Sequence, residues 1–109
     1  MMKENAESLN IFDKLVKELP ERGIFSQTLL KNDHSSVVLM QLAAGEELSE
    51  HTSKFPSMVY VIGGEGDLVA DGKTYRLSKG EIVSMAAELP HSVTADKDLD
   101  FLLYLFKLE

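Results

Sequence analysis

The sequence predicts an all-β fold, an antiparallel barrel or sandwich preceded by one short helix, and three observations point there. Short apolar and β-branched runs recur from Ile24 onward. Turn residues separate them at fairly regular spacing. One of those turns, Asp71-Gly72, is of the two-residue kind that closes a tight hairpin with positive φ, so its flanking strands must be antiparallel.

The helix is expected over residues 11–19. Asn10 stands as its N-cap, Asp13 suits the positive end of the helix dipole, and Pro20 stops it. Phe12, Leu15, Val16 and Leu19 would share one face and dock on a neighbour. Strands follow over residues 25–31, 37–42, 58–62, 67–70, 74–77, 82–85, 92–95 and 101–108. Lys31-Asn32-Asp33, Ala44-Gly45, Gly63-Gly64-Glu65-Gly66, Asp71-Gly72 and Lys79-Gly80 fall between them. The glycine-rich stretch lacks the helix and lysine of a phosphate cradle, and a hairpin turn is expected there. The run from Phe101 to Phe106 is apolar at both parities, so both of its faces must be covered. The barrel interior would take one face, and the N-terminal helix or a subunit interface the other.

A chain of 109 residues suits one domain, here a helical extension (1–23) packed on a β-barrel (24–109). A hydrophobic fraction of 44% against 27% charged indicates a folded globule. Eighteen acidic against eleven basic residues give a net charge of -7, which repels phosphate backbones and anionic lipids, so neither nucleic acid nor membrane is an expected partner. With no cysteine there is no disulfide framework, thiolate nucleophile or sulfur-ligated zinc, which fits a reducing compartment. The polar N-terminus carries no export signal, and no apolar stretch approaches the roughly 20 residues of a membrane span, so a cytoplasmic location is expected.

The segment Gly45-Glu46-Glu47-Leu48-Ser49-Glu50-His51-Thr52-Ser53, continuing through Ser57 to Gly64, resembles the first motif of the cupin family, G-x5-H-x-H-x3,4-E-x6-G. Gly45, His51 and Gly64 match, while Ser53 and Ser57 stand where the second histidine and the glutamate would be. Downstream, Gly80 to Ala95 resembles the second motif, G-x5-P-x-G-x2-H-x3-N. Gly80 and His91 match, and Ala86, Glu88 and Ala95 replace the proline, glycine and asparagine. The resemblance covers roughly residues 24 to 108 and implies the cupin double-stranded β-helix, a jelly-roll-like antiparallel barrel, and a symmetric homodimer.

In that family the ligands project into the barrel mouth. The resemblance, with strand alternation, would bring His51, Ser53, Ser57 and His91 into one pocket, walled by Tyr60 and Met85. The resemblance also implies a divalent transition metal, Zn, Ni, Mn, Fe or Cu, on His51 and His91. Two imidazoles fall short of the three protein ligands of a catalytic zinc site, so such a site would be of low affinity. Glu46, Glu47 and Glu50 would form a wet approach to His51, and His34 a solvated turn. Asp96-Lys97-Asp98-Leu99-Asp100 begins like a calcium loop but has no glycine at its sixth position.

Two main functional readings therefore stand side by side, with a third behind them. One is a small-molecule-binding or accessory protein with an apolar pocket. The other is a metal-dependent enzyme, a dioxygenase or isomerase, using His51 and His91 as ligands with water or Glu88 completing the sphere. A third is a structural dimer with no ligand. No G-x-S-x-G elbow or orienting acid is present, and no catalytic residue is assigned.

Overall fold

The protein is described over residues 6–107 by a computed structural model. Strands β1 (Ile24–Lys31), β2 (Ser35–Leu42), β3 (Glu47–His51), β4 (Ser57–Gly63), β5 (Glu65–Ala70), β6 (Lys73–Ser78), β7 (Ile82–Met85), β8 (His91–Ala95) and β9 (Leu99–Phe106) form two antiparallel sheets. One sheet has the order β1-β2-β9-β4-β7 and the other β3-β8-β5-β6. Period-two burial sets their inner faces. In β5, Gly66, Leu68 and Ala70 are buried; in β8, His91, Val93 and Ala95. With Leu42, Val59, Val61, Leu77, Val83, Met85, Leu99 and Phe101 they make the core between the sheets.

The Asp71-Gly72 hairpin joins β5 to β6 as expected, with φ of 50° and 78° and Ala70 facing Lys73. The Gly63–Gly66 stretch is different. Rather than turning a hairpin it carries the chain from one sheet to the other, because β4 pairs with β7 and β9 whereas β5 pairs with β6 and β8. Gly64 makes that crossing at φ 82°, where a Cβ would overlap the carbonyl oxygen of Asp98.

The expected N-terminal helix is a single 3₁₀ turn, Ile11–Asp13. Asn10 does cap it, its Oδ1 accepting from the Phe12 N–H at 2.9 Å. Beyond the turn the backbone finds partners on the sheet rather than in a helix. Gln41 Oε1 accepts from Val16 N–H and Gln41 Nε2 donates to the Val16 carbonyl, both at 2.9 Å, and Gln27 Nε2 donates to the Lys14 carbonyl at 2.8 Å. A short helix has too few internal bonds to outweigh its costly nucleus, and these tertiary bonds take over. The face foreseen for docking does not form: Phe12 is 58% and Val16 41% exposed.

Held at Gln41, this segment lies on the outer face of the five-stranded sheet, where Leu39, Gln41 and Leu102 are buried. Strand β9 is buried on both faces, with Leu99 and Phe101 inward and Leu102 outward. Around Arg76, exposed ion pairs to Glu65, Asp67 and Asp96 tie β6 to its neighbours, and the Arg76 hydrogen bond holds the Glu65 carboxyl below its usual range. The acidic turn is thereby accounted for, with Asp98 accepting from the Ala44 N–H. Among the described residues no helix is long and apolar enough to cross a membrane.

Gln41 is 2% exposed and also donates to Asp100 Oδ1 at 3.0 Å. Gln41→Leu would strand the Val16 backbone groups and one carboxylate oxygen, and is expected to cost about 2–3 kcal/mol. Urea unfolding measures that loss, and faster proteolysis N-terminal to β1 reports release of the segment. Burial pushes the Asp100 carboxyl up, the Gln41 bond pulls it partly back, and the Asp98 charge raises it further. A carboxyl whose folded pKa is raised binds protons more tightly when folded, so stability falls as pH climbs from the ordinary 3.8 through the raised value. Asp100→Asn, which keeps the acceptor for Gln41, is expected to raise Tm at pH 7 and to leave it unchanged at pH 3. Thermal melts at the two values check this.

Candidate functional site

His51 ends β3 and His91 begins β8, and the two face each other across the antiparallel pair. Their approach depends on a bulge. From His91 to Val93 on β8 is two residues, whereas from His51 to Leu48, which pairs with Val93, is three. The extra residue breaks alternation, so Leu48 and His51 both point between the sheets; in a regular strand they would face opposite ways. The ring centroids stand 4.3 Å apart at 56°.

Both rings are held alike. His51 Nδ1 lies 2.8 Å from the Ser49 carbonyl oxygen and His91 Nδ1 2.9 Å from that of Leu89. A carbonyl only accepts, so each Nδ1 carries the hydrogen and donates it. In the neutral ring each Nε2 is then a bare acceptor, and among the described residues none donates to it. His91 is 8% exposed, while His51 is solvent-accessible at the mouth.

Beneath the pair is a cavity of about 120 Å³ lined by Met40, Leu48, His51, Val59, Leu68, Met85, His91, Val93, Phe101 and Leu103. Apart from the imidazoles every lining side chain is apolar. Of the pocket residues expected from sequence, His51, Met85 and His91 line it, and Ser53, Ser57 and Tyr60 do not. Tyr60 lies between inward-facing Val59 and Val61, opposite Ile82 and Leu102, and is 36% exposed on the outer face. A residue three positions from inward-facing Ser57 must point the other way on a regular strand.

Ser53 falls beyond the end of β3, so alternation from His51 does not reach it. Its Oγ accepts from the Phe55 N–H and its carbonyl from the Glu88 N–H, joining the two loops beside the mouth. Ser57 is buried opposite Met85 without joining the lining. Glu88, where the second motif has glycine, keeps the left-handed backbone such a glycine would adopt, at φ 66°. It is exposed, and among the described residues no group of three or more His, Cys, Asp or Glu is placed to hold a metal ion. Strand parity could have found Val59, Phe101 and Leu103; nothing in the polar run Glu47–His51 announces a strand with a bulge.

The sequence pattern described as Cupin domain matches residues 38–106. The chain belongs to the cupin family. Among solved structures, a conserved protein of unknown function from Streptococcus pyogenes is similar to this cupin at 26% identity and TM-score 0.81, over 97% of this chain and 91% of that one. A cupin superfamily protein from Desulfitobacterium hafniense shares the fold at 20% identity and TM-score 0.76, with 82% of each chain covered. Salicylate 1,2-dioxygenase from Pseudoaminobacter salicylatoxidans, solved with gentisate, shares it at 20% identity and TM-score 0.73, over 76% of this cupin but only 25% of its own length. No curated protein matches the sequence.

The ring geometry carries its own check. In a ¹⁵N-labelled sample above the imidazole titration range, long-range ¹H–¹⁵N spectra are expected to show His51 and His91 as the Nδ1–H form, and exposed His34 chiefly as the commoner Nε2–H form.

Proposed function

We propose that this cupin is a binding module for a small, compact, largely apolar molecule held between its two sheets, with His51 and His91 as the polar anchor. The observation that carries this reading is the cavity wall, apolar throughout except for two imidazoles at one end. That is the usual make-up of a small-ligand site, apolar for affinity with a few convergent polar atoms for orientation. An apolar cavity of roughly 150 Å³ takes benzene, so about 120 Å³ sets the scale at a handful of heavy atoms.

A second reading, a metal-dependent enzyme such as a dioxygenase or isomerase, draws on the Nδ1–H bonds to backbone carbonyls. Imidazoles that bind metals are commonly fixed in this way. The residues fit such a group poorly, because two ligands fall short of the three that a catalytic zinc site takes from the protein. No reaction step is derived through a metal.

Five methionines make the test direct. With ¹³C-methyl-methionine labelling, benzene and 1-butanol are expected to shift the Met40 and Met85 signals saturably and raise Tm, leaving Met58 on the outer face unmoved. Leu68→Phe, which fills the cavity, should abolish the shifts. Unmoved Met40 and Met85 signals at saturating benzene would remove the binding reading. Stoichiometric Zn²⁺ binding by calorimetry, lost in His51→Ala, would favour the metal reading instead.

A further inference from the structure

We infer that the molecule held in this cavity carries a primary amine, bound as the ammonium, with its N–H groups donated to His51 and His91. The inference rests on the binding reading above and specifies the head group that the site selects. Each ring has spent its one N–H on a backbone carbonyl, Ser49 for His51 and Leu89 for His91. What remains free on the two rings, which stand 4.3 Å apart and line the cavity, is one Nε2 lone pair each, and the rest of the lining offers no hydrogen-bond donor. The polar end of the cavity is therefore an acceptor-only site.

Such a site sorts head groups by their donors. A carboxylate or phosphate brings only acceptors and would face lone pairs with lone pairs. A hydroxyl has one hydrogen for two acceptors. An ammonium has three N–H donors and no acceptor, so two can go to the imidazoles and the third to water at the mouth. Its bonds are charge-assisted, roughly twice as strong as neutral ones. The desolvation cost of the charge is limited because His51, one of its two partners, is itself solvent-accessible.

The surrounding charge acts in the same direction. The chain carries a net charge of -7, and exposed Glu50 and Glu88 flank the two histidines in sequence. The lysine of the adjoining loop, Lys54, with its Nζ 5.8 Å from the Phe55 ring centroid, opposes this effect and is outnumbered by the two carboxylates. A cationic head is drawn to this mouth and an anionic one is repelled.

Butylamine, 1-butanol and butyrate have nearly the same body and differ in the head, which makes them the probes. Titrated into the intact protein at about pH 8.5, where imidazole is ordinarily neutral, butylamine is expected to shift the Met40 and Met85 methyl signals with an affinity roughly tenfold above that of 1-butanol. Butyrate should be weakest. His51→Lys, at a solvent-accessible position, puts a donor where the acceptor stood and is expected to reverse the order of butylamine and butyrate. Binding of 1-butanol equal to or tighter than butylamine, or an unchanged order in His51→Lys, would overturn the amine assignment while leaving the cavity reading intact. Failure of benzene and all three probes to move either methionine would remove both.

Discussion

Strand β9 is apolar on both faces, and the architecture turns on burying both. It runs through the five-stranded sheet between β2 and β4, so its backbone groups are paired on both edges. Its inward residues Leu99 and Phe101 join the core, and Phe101 and Leu103 wall the cavity. Its outward residue Leu102 is buried as well, on the face where the Gln41 amide holds an irregular segment by two hydrogen bonds to one residue's backbone. A sheet with one wet face could not accommodate this strand.

The cavity is the remainder of that packing. Large side chains meet between the sheets at the end where Leu42, Val61, Leu77 and Leu99 are fully buried. Toward His51 and His91 they leave a gap. Its polarity is set by hydrogen bonds outside it: because the Nδ1 atoms are occupied by carbonyls two residues upstream, both rings are left with the same kind of free atom, an Nε2 acceptor. Two histidines free to choose tautomers could offer one donor and one acceptor. These two are committed to being alike, and that gives a small apolar gap a chemical preference.

Most of the strand content was legible in the sequence because burial on one face imposes a period of two, and glycine marks the turns. Residues 82–85 fall as expected, and Asp71-Gly72 forms its hairpin. The N-terminal segment was not legible as an irregular strap, since its capping signal and apolar spacing suit a helix equally well. What decided it was a glutamine on β2, far away in sequence. Tyr60 was misplaced by proximity where parity would have put it outside. Ser53 was misplaced by extending alternation past the end of β3. The two histidines were found from motif spacing, but the reason they meet was not, because a bulge in a polar edge strand leaves no compositional trace.

The β3 bulge lets the histidine pair form at a spacing that strand alternation alone would not allow. Deleting any one residue between Leu48 and His51 would remove the bulge, and the shortened strand would pair regularly with its histidine still opposite His91, two residues from Leu48 and on the same face. A relative carrying the same two histidines at a spacing one residue shorter would thus keep both the barrel and the pair. In comparing such chains, a one-residue alignment gap at this position is compatible with an intact site, whereas substitution of either histidine removes the pair.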